Sequence, residues 1–139
     1  MSRPIDLSDL TGVVEDDHRF AAAIVFGSVA RGMSRPDSDL DLAILYADDD
    51  ARETVERDLL TVLGRLALAA HRDVHLIDLE RCDAGLRRAV FESGRVLVDR
   101  AQRRLRDLRA ATGIEYLDWA YARKVADAAH ARRLAARDG

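Results

Sequence analysis

The chain has 139 residues, of which 48% are hydrophobic and 34% are charged, and its formal net charge at pH 7 is −3. This length is typical of one domain with its own core, and the composition excludes a disordered chain. The longest apolar runs, 20–26 and 40–46, are too short to cross a bilayer, so we expect no membrane association through a spanning segment.

The first half of the sequence predicts two helices and two short strands. We expect a helix over 7–18 with Ser8 as its N-cap, a buried strand over 21–26, a loop over 33–38, a strand over 40–46, and a helix over 51–70 that starts at the acidic run 48–50.

The second half predicts further strands that alternate with helices. We expect a strand over 73–79, a helix over 83–93 stopped by Gly94, an edge strand over 95–98, and a helical tail over about 101–137 that Gly113 divides, with Thr112 as a possible N-cap of its second part. This order predicts an α/β (α+β) fold in which helices pack on a small mixed sheet, forming one domain over 1–139.

The charge and cysteine distribution limits the possible partners and compartments. From Ala101 onward there are nine basic and five acidic residues, a net charge of +4. We interpret this as a solvated helix face rather than a surface for RNA or an acidic partner, so direct nucleic-acid binding is not expected. Cys82 is the sole cysteine and no secretory signal is visible, so we expect a cytoplasmic protein.

The most informative pattern is Gly27-Ser28 followed, after ten residues, by Asp39-x-Asp41. Side chains two residues apart on a strand point to the same face, so both carboxylates can reach one site. Magnesium is usually held by one or two carboxylates plus substrate phosphates, and a cation relieves the repulsion between two acids. The combination predicts a magnesium site, although either half alone is also compatible with an ordinary turn or a half-buried strand.

The Gly27-Ser28 turn supplies the anion-binding part of this prediction. Glycine lets the backbone approach a phosphate closely, and N–H groups at the start of a short helix would face the anion. Arg31 and Arg35 in the following loop are further candidates to neutralise a triphosphate, with a salt bridge to Asp37 or solvent exposure as the alternative. The turn and the acids together predict a site for a nucleoside triphosphate and its metal.

A third carboxylate is expected from Asp73, at the start of the third strand. Asp73 shares a strand face with His75 and Ile77, whereas Asp78 lies on the other face. Asp73 would complete a two-ion site for in-line displacement, in which one carboxylate can accept the proton of the nucleophile. The alternative for Asp73 is a polar cap on the strand. The four histidines are assigned no role, because their spacing is not typical of a metal site.

Tyr116, Trp119 and Tyr121 form a small aromatic cluster in the helical tail. Tyr116 and Trp119 share one helix face at i, i+3 spacing. We expect the cluster to pack in the core, with a surface for a partner as the alternative.

The segment GSVARGMSRPDSDLDLAIL, followed by a later strand-borne aspartate, resembles the signature of the nucleotidyltransferase fold of the DNA polymerase β superfamily. It is similar in particular to the small prokaryotic branch, the minimal nucleotidyltransferases, over residues 20–79. The resemblance implies that Asp39, Asp41 and Asp73 are catalytic and bind Mg2+, with two ions expected. It also implies that Gly27 and Ser28 hold the triphosphate of ATP.

Minimal nucleotidyltransferases are often antitoxins paired with a HEPN ribonuclease toxin. The resemblance therefore implies a magnesium-dependent enzyme that transfers AMP from ATP to a tyrosine of such a toxin and releases pyrophosphate. Two alternatives remain. The chain could neutralise its partner as a non-catalytic, stoichiometric binding protein, or it could transfer the nucleotide to the hydroxyl group of a small molecule such as an aminoglycoside.

Overall fold

A computed structural model describes residues 6–27 and 38–138 of the chain. Within these residues, helices pack on both faces of a four-stranded sheet. The elements in chain order are α1 (Ser8–Asp16), β1 (Phe20–Phe26), β2 (Leu40–Tyr46), α2 (Asp49–Arg57), α3 (Leu59–Ala70), β3 (Val74–Asp78), α4 (Ala84–Ser93), β4 (Arg95–Asp99) and α5 (Gln102–Asp138).

The sheet is mixed, with strand order β3-β2-β1-β4, so the predicted fold class and the edge position of β4 are confirmed. β1 is antiparallel to β2 and β4, whereas β2 and β3 are parallel. In this register Asp41 lies opposite Phe26 on one side and opposite His75 on the other. The start of β2 therefore lies between the end of β1 and the start of β3.

The core is built on both faces of the two central strands. β1 is buried along its whole length, as expected for a continuous apolar run, and β2 is buried except at Asp41. One face of the sheet packs with α1 and α3, and the other packs with α4 and the start of α5. The fully buried residues of β2 are Leu40, Leu42, Ala43, Ile44 and Leu45. A slip of one residue would exchange the two faces of β2, so this packing fixes where Asp41 points.

The helix predicted over 51–70 is two helices, α2 and α3, which meet at Asp58. The backbone at Asp58 leaves helical geometry, with φ −111° and ψ 26°, and its N–H is shared between the carbonyls of Thr54 and Val55 at 3.2 and 3.1 Å. Aspartate is a weak helix former because its side chain competes for backbone hydrogen bonds. The apolar spacing does not reveal the break, since Val55 and Val62 on its two sides are both buried.

The predicted division of the tail at Gly113 was wrong, because α5 continues through it. The Thr112 hydroxyl donates to the carbonyl of Leu108 at 2.6 Å, which is a bond inside the helix rather than an N-cap. A Cβ at Gly113 would have no neighbour within 4 Å. None of the helices within the described ranges combines the length and apolar character needed to span a membrane.

Two smaller predictions concern helix ends. Ser8 is the first residue of α1 rather than its N-cap, and its N–H is bonded by the carboxylate of Asp6 at 2.9 Å. Gly94 ends α4 as predicted, with extended backbone. A Cβ at Gly94 would contact the carbonyl of Val90 and lie 2.5 Å from Cγ2 of Ile24, so close packing of α4 on β1 requires glycine there.

Candidate active site

Gly27 ends β1 in a conformation and at a distance that only glycine tolerates. Its φ is +78°, in the left-handed region that disfavours side chains. A Cβ built on Gly27 would lie 2.5 Å from Oδ2 of Asp41, well inside van der Waals contact. The β1 turn and the carboxylate of β2 are therefore fitted to each other.

Asp39 and Asp41 lie at the start of β2, beside this turn. Asp41 interrupts an otherwise buried strand, and its side chain remains 32% exposed, while Asp39 immediately before the strand is exposed. Between and after them, Leu40 and Leu42 are fully buried on the opposite face. The alternation of β2 thus directs both aspartates away from the α1–α3 layer.

His75 supplies the side chain that meets Asp41 from the neighbouring strand. The two residues are partners in the parallel β2–β3 register, and Nδ1 of His75 is 3.3 Å from Oδ1 of Asp41. Both groups are accessible, since the His75 side chain is 66% exposed. Sequence analysis gave no role to His75. The spacing of histidines along the chain could not have identified it. The register of β2 and β3 could have, because it places His75 directly opposite Asp41.

The three aspartates predicted as metal ligands do not form one compact group in this structure. Within residues 6–27 and 38–138, no three His, Cys, Asp or Glu side chains are close enough together to hold a metal ion. Asp73 is exposed immediately before β3, and its carbonyl accepts the N–H of Leu40 at 2.8 Å. The roles of Asp39, Asp41 and Asp73 therefore stay predictions.

Several residues predicted near the site lie outside the described residues. They are Ser28, Arg31 and Arg35, in the segment 28–37 that joins Gly27 to the acidic end of β2. Ser38, the first described residue after that segment, has its carbonyl 3.3 Å from a guanidinium nitrogen of Arg72.

Asp78, which competed with Asp73 in the sequence, belongs to a separate ion network at the other end of β3. The buried side chain of Arg52 is 2.6 Å from Asp78, 3.0 Å from Glu80 and 2.6 Å from Asp49. The hydrogen bond from Arg52 to Asp78 is the largest cause of the raised pKa of the guanidinium group. This network ties α2 to β3, so its acids are already neutralised by a structural arginine.

The expected core packing of the aromatic cluster in α5 was wrong. The rings of Tyr116 and Trp119 do contact each other, with centroids 5.8 Å apart, but Trp119 is 48% and Tyr121 is 71% exposed. Arg88 of α4 lies over the ring of Tyr116 at 3.9 Å. The cluster therefore begins at the α4–α5 contact and continues onto the surface.

The carboxylates at the start of β2 suit a hard divalent cation, because such ions prefer oxygen ligands and usually keep water and substrate oxygens in the remaining positions. The absence of a side chain at Gly27 lets the carboxylate of Asp41 pack directly against the turn. The partly exposed carboxylate of Asp41 and the exposed one of Asp39 are oxygen donors that such an ion can use.

Comparison with known protein families gives one match that covers most of the chain. The family described as polymerase beta, nucleotidyltransferase, matches residues 8–103. This span includes Gly27, Asp39, Asp41 and His75. A comparison with curated proteins finds no match.

Three solved structures with the same fold are chains of toxin–antitoxin complexes. A chain of a toxin–antitoxin complex with AMP-PNP is 24% identical, with a TM-score of 0.68 over 86% of this chain and 94% of its own. A chain of the MntA–HepT complex is 23% identical, with a TM-score of 0.61 over 86% and 91%. A chain of the complex between tri-AMPylated Shewanella oneidensis HEPN toxin and MNT antitoxin is 22% identical, with a TM-score of 0.60 over 84% and 91%.

Proposed function

Because the chain belongs to the polymerase β family of nucleotidyltransferases, we propose that it transfers a nucleoside monophosphate from a triphosphate to a hydroxyl group. The acceptor oxygen forms a bond to the α phosphorus while the bond to pyrophosphate breaks, and the hydroxyl proton passes to a carboxylate of the site. The observation that carries this proposal is the approach of Gly27 to Asp41, which places a turn that only glycine tolerates against a partly exposed carboxylate.

The proposed work of these residues is to position charge. The turn at Gly27 lets backbone approach the phosphates without an intervening side chain. Asp39 and Asp41, at the start of β2, would hold Mg2+, and Asp73 is the third carboxylate predicted from the sequence. When bound, the ion neutralises phosphate charge and lowers the proton affinity of the acceptor. Positioning and charge neutralisation supply most of the catalysis in phosphoryl-group transfer.

The proposed donor is ATP and the proposed acceptor is a tyrosine of a HEPN toxin, which makes this chain a cytoplasmic antitoxin. Two facts support this choice. A chain of the same fold occurs in a toxin–antitoxin complex with AMP-PNP, and another occurs with a HEPN toxin that carries three AMP groups. The likeness extends over more than four fifths of this chain.

A second candidate function, neutralisation by binding alone, is favoured by the surface of α5. Its distal part exposes large apolar side chains in a region of the helix that contributes little to the core; these are Ile114, Leu117, Trp119, Tyr121 and Val125. Apolar side chains clustered on a surface mark places where a partner can dock. Such docking also suits an enzyme whose substrate is a protein, so the two functions differ in whether the partner becomes modified.

The test is transfer of label from α-labelled ATP to a coexpressed HEPN toxin, read together with the intact mass of the toxin. We expect the toxin to gain the mass of one adenylyl group or more, and Asp39→Ala with Asp41→Ala to abolish both signals. The matched control is Asp50→Ala with Glu53→Ala, which removes two exposed acids of α2 and should leave transfer unchanged.

A toxin that is bound and inhibited but unmodified would favour the binding function. Transfer that survives the loss of Asp39 and Asp41 would refute the proposed site. Circular dichroism of each variant shows that the fold is retained, so that loss of activity is not loss of structure.

A further inference from the structure

We propose that α3 carries a self-association surface, through which two copies of this chain pack antiparallel about a two-fold axis beside Gly64. The surface is the outward side of α3, hereafter the α3 face, and it consists of Leu60, Thr61, Gly64, Ala67 and Leu68. This assembly is independent of the proposed transfer reaction, because none of these residues belongs to the candidate active site.

α3 is apolar on the side that faces away from the sheet. Val62 and Leu66 are buried in the core, whereas Leu60 and Leu68 are 87% and 79% exposed. The two pairs are offset by two residues, or about 200° around an α-helix, so they lie on opposite sides. Only one of the 12 residues of α3 is charged. A helix that is apolar on all sides is normally buried on all sides, so the exposed leucines indicate a surface that an assembly covers.

The surroundings of α3 favour a protein rather than a lipid surface as this cover. Glu53, Glu56 and Asp58 are exposed immediately before the helix. Helices that lie on anionic membranes do so with lysine and arginine on their polar side, and acids in that place are repelled. A protein partner is therefore the better match.

The α3 face is symmetric about Gly64. Leu60 and Leu68 lie four residues before and four residues after it, and Thr61 and Ala67 lie three residues before and three after it. A two-fold axis brings one residue of the first copy against a second residue of the other copy, and the reverse. Antiparallel packing about Gly64 therefore places each Leu60 beside Leu68 of the second copy.

Gly64 gives the two helices room to approach each other. It is exposed, and a Cβ built on it would have no neighbour within 4 Å. The distance between packed helices depends on the side chains at the point of contact, and glycine permits the closest approach of backbone. Glycine at the axis thus lets the leucines on either side of it interdigitate.

Charges at the two ends of the α3 face are complementary under the same axis. Arg57 lies seven residues before Gly64, and His71 lies seven residues after it. Asp9 of α1 lies beside His71, with Oδ2 3.7 Å from Nε2, and its side chain is 75% exposed. Because Arg57 is exposed at the end of α2, the axis that pairs the leucines brings Arg57 of each copy towards Asp9 of the other. This complementarity selects a second copy as the partner.

The size of the α3 face sets the expected strength of the dimer. α3 has 12 residues and extends about 18 Å. One pair of such helices buries less than the ~1,200 Å² at the lower limit of stable interfaces. We therefore expect a weak dimer with a dissociation constant in the micromolar range.

The first test is sedimentation equilibrium of the full chain over a wide range of concentrations, which should show reversible monomer–dimer exchange. Leu68→Glu places a charge in the apolar contact of both copies and should raise the dissociation constant at least about tenfold. The matched control is Leu117→Glu, which changes a leucine of α5 that is 67% exposed and should leave the equilibrium unchanged.

Gly64 and Gly113 provide a second matched pair. Both lie inside helices, and a Cβ at either position has no neighbour within 4 Å, so alanine at either should raise the melting temperature at low concentration. Gly64→Ala should nevertheless weaken the dimer about tenfold, because two methyl groups meet at the axis. Gly113→Ala should leave the dissociation constant unchanged, so stability and association move in opposite directions only at position 64.

Charge reversal tests the antiparallel arrangement itself. Asp9→Arg or Arg57→Asp alone should weaken the dimer, and the double variant should recover most of the loss, because each pair is formed again with opposite polarity. Circular dichroism of each variant checks that the monomer is folded.

Four outcomes would overturn the proposal. They are a chain that stays monomeric at every concentration, a dimer that Leu117→Glu dissociates and Leu68→Glu does not, a double charge variant no better than either single one, and a Leu68→Glu chain that still dimerises normally but no longer binds a coexpressed HEPN toxin. None of them depends on AMP transfer, so a chain that dimerises through α3 but labels no toxin contradicts only the proposed function.

Discussion

The parallel strands β2 and β3 carry acids at both ends. At the end of β3, the carboxylate of Asp78 lies 2.6 Å from Nε of the buried Arg52. At the start of β2, the side chain of Asp41 is 32% exposed and contacts the imidazole of His75. The first arrangement neutralises an acid inside the fold and ties a helix to a strand. The second leaves an acid accessible beside Asp39, at a cost in repulsion that a bound cation would offset. The difference separates acids that stabilise the fold from acids that are available to a ligand.

Exchanging one carboxylate for an amide at each end tests this separation most directly. Asp41→Asn should reduce nucleotide transfer by about 10²–10³-fold, the scale of removing one charge-stabilising group, with little loss of stability. Asp78→Asn should do the reverse and lower the free energy of unfolding, because the buried Arg52 loses its most buried acidic partner. Initial rates per folded molecule and urea unfolding measure the two effects. Equal losses of transfer in both variants would remove the distinction.

Removing the arginine should have the largest effect on stability. Arg52→Ala removes the buried cation of Asp78 and Glu80, which keep only the longer contacts with Arg81 at 3.9 Å and Arg104 at 3.5 Å. We expect a loss of about 3 kcal/mol, as for breaking a buried ion pair. Asp49→Asn is the control, because Asp49 also contacts Arg52 at 2.6 Å but is almost fully exposed and should cost less than about 1 kcal/mol. If both variants unfold at the same urea concentration, the network is not a structural one.

The stability of the end of β2 that lies near Arg52 should also depend on alkaline pH. Burial raises the pKa of Tyr46, the last residue of β2, to about 12, above its ordinary value of 10.0. The unfolded chain therefore ionises first, so stability is greatest below about pH 10 and falls by about 2 kcal/mol as pH rises towards 12. Tyr46→Phe keeps the ring contact with Phe20 and should flatten this part of the stability profile. A profile with the same slope in both proteins would contradict the assignment to Tyr46.

Two glycine-to-alanine substitutions, one beside Asp41 and one in α5, test the role of the turn at Gly27. Gly27→Ala should cost about 1–2 kcal/mol through its positive φ, and it should impair transfer because the new methyl group meets the Asp41 carboxylate. Gly113→Ala, in open space within α5, should stabilise the chain by up to about 1 kcal/mol and leave transfer unchanged. Thermal unfolding and label transfer distinguish the two, and normal transfer by Gly27→Ala would weaken the proposed site.

Local patterns were enough to predict most of the fold. The apolar runs that became β1 and β2 are short and bounded by turn residues, and the alternation at Asp41 shows which side of β2 carries the polar groups. The break at Asp58 was not predictable, because apolar positions continue in register on both sides of it. The continuity of α5 was also missed, since Thr112 and Gly113 satisfy a local rule for a helix boundary that the observed helix overrides.

The candidate site was predictable only where it is local in sequence. Asp39 and Asp41 are two residues apart, so one strand period relates them. His75 is adjacent to Asp41 only through the pairing of β2 with β3, which is a property of the folded sheet. The spacing of histidines along the chain does not indicate this pairing. A prediction of the parallel β2–β3 register would have placed His75 next to Asp41.

The length of α5 has a dynamic consequence. Its 37 residues extend about 55 Å. Contacts with α4 reach Glu115 and Tyr116, while Tyr121 and Val125 are exposed farther along. Helical segments without tertiary packing depend on weak intrinsic propensity and open locally long before a core does. Amide hydrogens beyond Tyr121 should therefore exchange fast in the isolated protein and slow sharply when a partner covers the helix. The end of α5 would then become fully ordered only in a complex.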